Sequence, residues 1–111
     1  MKVYLCDTDK FRNDYLTTFF IRYYQVDLAE FQGREIIEEI QRETPDIVVS
    51  SVETGPLVLD ITKTCQKLGI PLVVVCEAEN LNKARKNITG SAKTLILADP
   101  DRNETALTAG L

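Results

Sequence analysis

Apolar residues along the chain alternate between short continuous runs and longer stretches with helical spacing. Five runs predict strands. The first, Lys2 to Cys6, is ended by Asp7, Thr8 and Asp9. From Lys10 to Tyr24, the residues Phe11, Tyr15, Leu16, Phe19 and Tyr23 recur at the helical period, which predicts a first helix with that face buried. Thr8 or Asp9 is its expected N-cap, because a side-chain oxygen there accepts from amides that lack a partner within the helix. Val26 to Phe31 alternates and predicts a second strand. Gly33 then opens a second helix carrying Ile36, Ile37 and Ile40 inward. Pro45 stops that helix, having no amide hydrogen to donate.

Asp46 to Val52 is β-branched and apolar on both faces at its middle, as a central parallel strand must be. Thr54, Gly55 and Pro56 predict a helix start, with Thr54 as the capping hydroxyl and proline in the first turn. Leu57, Val58, Ile61, Cys65 and Leu68 form the expected buried stripe of this third helix, and Gly69 ends it in the left-handed conformation. Pro71 to Cys76 is the fourth strand. Leu81, Ala84 and Ile88 mark a fourth helix ending at Gly90, and Thr94 to Ala98 is the fifth strand, followed by a short tail. Strands alternating with helices, several of them apolar on both faces, imply a parallel sheet covered on both sides. Right-handed crossovers place every strand's C-terminal end on one edge, where such sheets bind their ligands. Asp7, Asp9, Ser50, Ser51, Cys76, Glu77 and Asp99 should therefore share one rim.

Composition narrows the chemistry. With 111 residues, 44% of them apolar and 27% charged, the chain is expected to fold as one domain, 1–111, without a disulfide or metal staple. There is no histidine, which removes His-based triads, His-ligated zinc and a phosphohistidine. Thirteen basic against seventeen acidic side chains argue against nucleic-acid binding, which needs a basic face. Cys6, Cys65 and Cys76 contain no CxxC pair and are an odd number, the pattern of a reduced, cytoplasmic protein. No secretory segment is expected, and the longest apolar stretch, Ile70 to Cys76, is far short of the roughly 20 residues that span a bilayer. No membrane association, cofactor or metal is expected.

The chain resembles the receiver domains of two-component response regulators over nearly its whole length. Lys2 to Asp7 is similar to the family's first strand and its acidic end. Gly33 to Ile40, followed by Thr44 to Val49, resembles its second helix and the Pro-Asp entry to strand three. Gly69 to Val75 resembles strand four, and Gly90, a strand and then Pro100 follow the closing pattern. The resemblance implies a flavodoxin-like α/β fold, a doubly wound five-stranded parallel sheet of order 2-1-3-4-5 with helices on both faces and a short fifth helix. A working receiver holds magnesium on two acids after strand one and takes a phosphoryl group on an aspartate ending strand three. A Ser or Thr after strand four and a Lys before the last proline report the phosphoryl group. Here Asp7 matches the first acid, Thr8 stands for the second, Ser51 for the phosphoacceptor, Cys76 for the switch hydroxyl and Asp99 for the lysine. Thr94 or Ile96 stands where strand five carries an aromatic switch residue.

Four of these five positions have lost the chemistry. A serine cannot form the acyl phosphate, and an aspartate in place of the lysine repels a phosphoryl group. The resemblance thus implies a pseudo-receiver, not an enzyme: a phosphorylation-independent interaction module, regulatory or localising, within a larger bacterial signalling system. Two alternatives remain. Cys6 at a strand end resembles the phosphocysteine of sugar-transport IIB domains, although Asp7 and Asp9 beside it would repel a phosphoryl group; a receiver still phosphorylated in an unusual way is the other. A protein partner or second copy is expected through the face from the fourth helix to the C-terminus. There Lys83, Arg85, Lys86 and Lys93 form a basic cluster, and a short final helix would leave apolar surface uncovered.

Overall fold

The computed structural model describes residues 1–88, 93–102 and 104–110. Strands β1 (Lys2–Cys6), β2 (Asp27–Glu30), β3 (Ile47–Ser51), β4 (Leu72–Cys76) and β5 (Thr94–Ala98) alternate with helices α1 (Lys10–Tyr23), α2 (Glu35–Glu43), α3 (Pro56–Leu68), α4 (Leu81–Asn87) and α5 (Glu104–Gly110). All neighbouring strands pair in parallel, in the order β2-β1-β3-β4-β5. This is the flavodoxin-like arrangement, with the strand order reversing between β1 and β3.

Alternate residues of the central strands feed two separate cores. Tyr4, Cys6, Val48, Val74 and Cys76 pack on the side of α2, α3 and α4, against Ile36, Ile40, Ile61, Cys65, Ala84 and Ile88. Val3, Leu5, Val49, Val73 and Val75 face α1 and α5, against Leu16, Phe19, Phe20 and Leu107. α5 is anchored by Leu107, which is fully buried, and burying one such side chain is worth about 1.5–3 kcal/mol.

Several helix faces differ from the sequence expectation. On α1 the buried residues are Arg12, Leu16, Phe19 and Phe20, whereas Phe11 is 90% exposed and Tyr23 is 55% exposed. Positions 12, 16, 19 and 20 form an equally regular helical line, one residue round from the aromatic one. That line wins because Arg12 is tied to Asp7 at the end of β1. On α3 the expected Leu68 is exposed and Ile70 is buried in its place. Gly69 takes the predicted left-handed turn at φ 70°; its amide donates to the Gln66 carbonyl and the Ile70 amide to that of Cys65, folding Ile70 back against the helix end.

Thr54 does not cap α3. Gly55 occupies that place, and the Thr54 hydroxyl donates to the Ser51 carbonyl at 2.9 Å. β2 is shorter than expected at both ends, although the Phe31 amide still donates to the Leu5 carbonyl. The expected stop of the fourth helix at Gly90, and Asn103 and Leu111 of the tail, lie outside the described residues. Among the described residues no helix is long and apolar enough to cross a membrane.

Candidate functional site

The rim at the C-terminal ends of β1, β3, β4 and β5 is organised by one ion triad. Asp7 follows β1 directly and faces the α1 side, in step with Val3 and Leu5. Its carboxylate is buried, and it accepts from Arg12 Nε at 2.6 Å, from Arg12 Nη2 at 2.9 Å and from the Asp9 amide at 2.9 Å. The same Nη2 donates to Glu53 Oε2 at 2.8 Å, from the 3-10 turn after β3. A guanidinium forked onto a carboxylate is a strong, directional pair. Burial alone would lower the Arg12 guanidinium, but Asp7 and then Glu53 outweigh it and hold it above its ordinary range. Asp9 adds the helix N-cap, accepting from the Arg12 amide at 3.1 Å.

The remaining sequence candidates surround this triad. Cys6 and Ser50 are the last paired positions of β1 and β3, so the register carries Asp7 alongside Ser51. Ser51 is fully buried, and its hydroxyl oxygen has no hydrogen-bond partner among the described residues. The Ser50 hydroxyl donates to the Ser51 carbonyl at a long 3.4 Å. Thr8 is exposed on the bend between Asp7 and α1. Cys76 is buried at the end of β4, its thiol 3.9 Å from the Leu97 carbonyl and pushed up by burial and then by Glu53. Asp99 is left-handed at φ 46°, a conformation that Asp tolerates better than most residues, and its amide donates to the Cys76 carbonyl. Ile96, opposite Val74, is half-buried against the α2–α4 core. No group of described residues has the carboxylate, thiol or imidazole density to hold a metal.

Arg12 and Glu53 were not among the sequence candidates. A cation on the line of buried helix positions, one turn beyond an acid that ends a strand, was the available signal. Lys93 lies at the N-terminal end of β5, where its ammonium donates to the Gly69 carbonyl at the end of α3. Lys83, Arg85 and Lys86 remain exposed on α4.

Burial, then Glu35 and Asp7, push the Cys6 thiol up to about 11, and burial pushes Cys65 up to about 12. A protonated thiol is a poor nucleophile. None of the three cysteines is therefore expected to react with a thiol reagent in the folded protein at pH 7.5; rapid labelling of Cys6 would contradict this burial. These thiols bind their protons more tightly when folded. Their contribution to stability is thus complete below the ordinary thiol pKa, about 8.5, and is lost as the pH climbs through 11 to 12. Urea unfolding at pH 8 and pH 10.5 should show this loss, and it should shrink in a Cys6→Ala, Cys65→Ala variant. Compared with models of known protein families and with curated proteins, the chain matches none.

Proposed function

We propose that this chain is an atypical receiver-like module that works through protein contacts, without phosphorylation and without catalysis. The observation that carries the reading is the Asp7–Arg12–Glu53 triad. In a receiver the acidic rim is neutralised from outside, by magnesium and then by the switch on the phosphoryl group. Here a guanidinium from the first turn of α1 supplies the positive charge permanently, with donors on both oxygens of Asp7. The serine at position 51 cannot carry an acyl phosphate, and Asp99 presents a negative charge where a phosphoryl group would need a positive one. The rim is thus a rigid structural junction tying β1, α1 and the turn after β3, and the surfaces around it are left for partners. A phosphocarrier role for Cys6 is disfavoured by the same geometry, since its thiol is buried and held protonated.

Incubation with acetyl phosphate and magnesium followed by intact-mass measurement tests this. The expected outcome is an unchanged mass. A stoichiometric phosphoryl adduct that is lost with hydroxylamine would mean an acyl phosphate on the chain and would overturn the proposal.

A further inference from the structure

Burial of the line 12, 16, 19 and 20 turns the opposite side of α1 outward. Lys10, Phe11, Asp14, Thr18, Ile21 and Arg22 are all exposed there, Phe11 at 90% and Ile21 at 64%. Phe11, Asp14, Thr18 and Ile21 follow one another at spacings of three, four and three residues, which lines them up along a single stripe. That spacing is the seam of two paired helices, in which such positions on one helix pack against those on another. Phe11 and Ile21 stand in water, and neither belongs to the two cores.

The stripe is complementary to itself in the antiparallel orientation. Laid across a two-fold axis at the level of Leu16, it brings Phe11 of each copy opposite Ile21 of the other. Asp14 then faces Thr18, whose hydroxyl can donate to the carboxylate. Arg22 of the second copy lies one turn beyond that Thr18, within a long side chain's reach of Asp14. Neither Asp14 nor Arg22 has an ion-pair partner among the described residues, and the Arg22 guanidinium rests over the Tyr23 ring at 5.5 Å. Lys10 comes level with Arg22 of the second copy but projects from the other flank of the helix, which keeps the two cations apart. A parallel pair would instead set Asp14 against Asp14 and Arg22 against Arg22, like charge on like charge.

We propose that α1 pairs antiparallel with α1 of a second copy of this chain, Phe11 packing on Ile21 at both ends and Asp14 setting the register against Thr18 and Arg22. A polar group inside a seam fixes register and orientation at a cost in affinity, and the seam is short, so the dimer is weak and reversible. This rests on the interaction-module reading and names a second copy as a partner of that module. It also moves the contact from the α4 face to α1.

The test is sedimentation velocity of the whole chain from about 10 µM to about 1 mM at about 150 mM salt, with amide NMR over the same range. A reversible dimer is expected, with concentration-dependent shifts at Phe11, Asp14, Thr18 and Ile21. Ile21→Asp should weaken it at least about tenfold, since a two-fold interface feels each change twice. Arg22→Asp alone should weaken it as well. The charge swap Asp14→Arg, Arg22→Asp should restore it to within about threefold of the parent, with the net charge of the chain unchanged. All three side chains are exposed, so the variants should fold as the parent does. A chain still monomeric at the top concentration would overturn the proposal. So would a dimer that Ile21→Asp leaves intact, one whose shifts fall on α4 and β5, or a swap variant no tighter than Arg22→Asp. None of these outcomes bears on phosphorylation, which the acetyl phosphate experiment decides separately.

Discussion

Replacing Arg12 by methionine is expected to lower the unfolding free energy by about 3–5 kcal/mol, measured by urea denaturation at pH 7. The Asp7 side chain is completely buried and that of Arg12 nearly so, so removing the guanidinium leaves a carboxylate in the interior without its cation. Against a total stability of roughly 5–15 kcal/mol, that is a large fraction. The double variant Arg12→Met, Asp7→Asn should be less destabilised than Arg12→Met alone, because no charge is then stranded. A favourable coupling of about 2 kcal/mol between the two positions is expected from this cycle. Arg34 and Asp60 are 2.8 Å apart but largely in solvent, and Arg34→Ala should cost less than about 1 kcal/mol. Equal costs for the two arginines would mean that the triad is a surface decoration rather than the junction described above.

Phe20→Ala is expected to be as severe, costing about 3–5 kcal/mol, while Phe11→Ala should change stability by less than about 0.5 kcal/mol. Phe20 is fully buried against β1 and β3 on the α1 side of the sheet, and its ring approaches Phe19 edge-on at 5.5 Å between centroids. Phe11 sits on the same helix, nine positions earlier, with its ring in water. The same pair of thermal or urea melts therefore reads out which face of α1 is inside. Leu16 and Phe19 of the expected face are buried in either case, and the reverse ranking would restore the full line 11, 15, 16, 19 and 23.

These two residues also mark how far the sequence could be read. The strands were legible because Ile47–Ser51 and Leu72–Cys76 are apolar on both faces, a pattern with few other solutions than the middle of a parallel sheet. Their order was what the receiver resemblance implied, while right-handed crossovers put their C-terminal ends on one edge. The rim, with Asp7, Ser51, Cys76 and Asp99 at strand ends, was legible for the same reason. The rotation of α1 was not, since two helical lines of similar apolarity lay side by side and a charged residue selected between them. Hydrophobicity alone scores Arg12 as a surface position. Its burial depends on Asp7 and on Glu53, which is 41 residues away and joins the rim only through the β1–β3 pairing.

The central claim is that the rim carries its own cation and answers to no phosphoryl group. Amide NMR titration with magnesium and beryllofluoride, the stable mimic of a bound phosphoryl group, tests it most directly. The account predicts no saturable shift at Asp7, Ser51, Cys76 or Asp99, and β5 amides unmoved at the highest concentration used. Saturable shifts at those residues that spread along Thr94 to Ala98 would contradict it, and would mean that Arg12 yields its place to an external ligand and that the rim is still a switch.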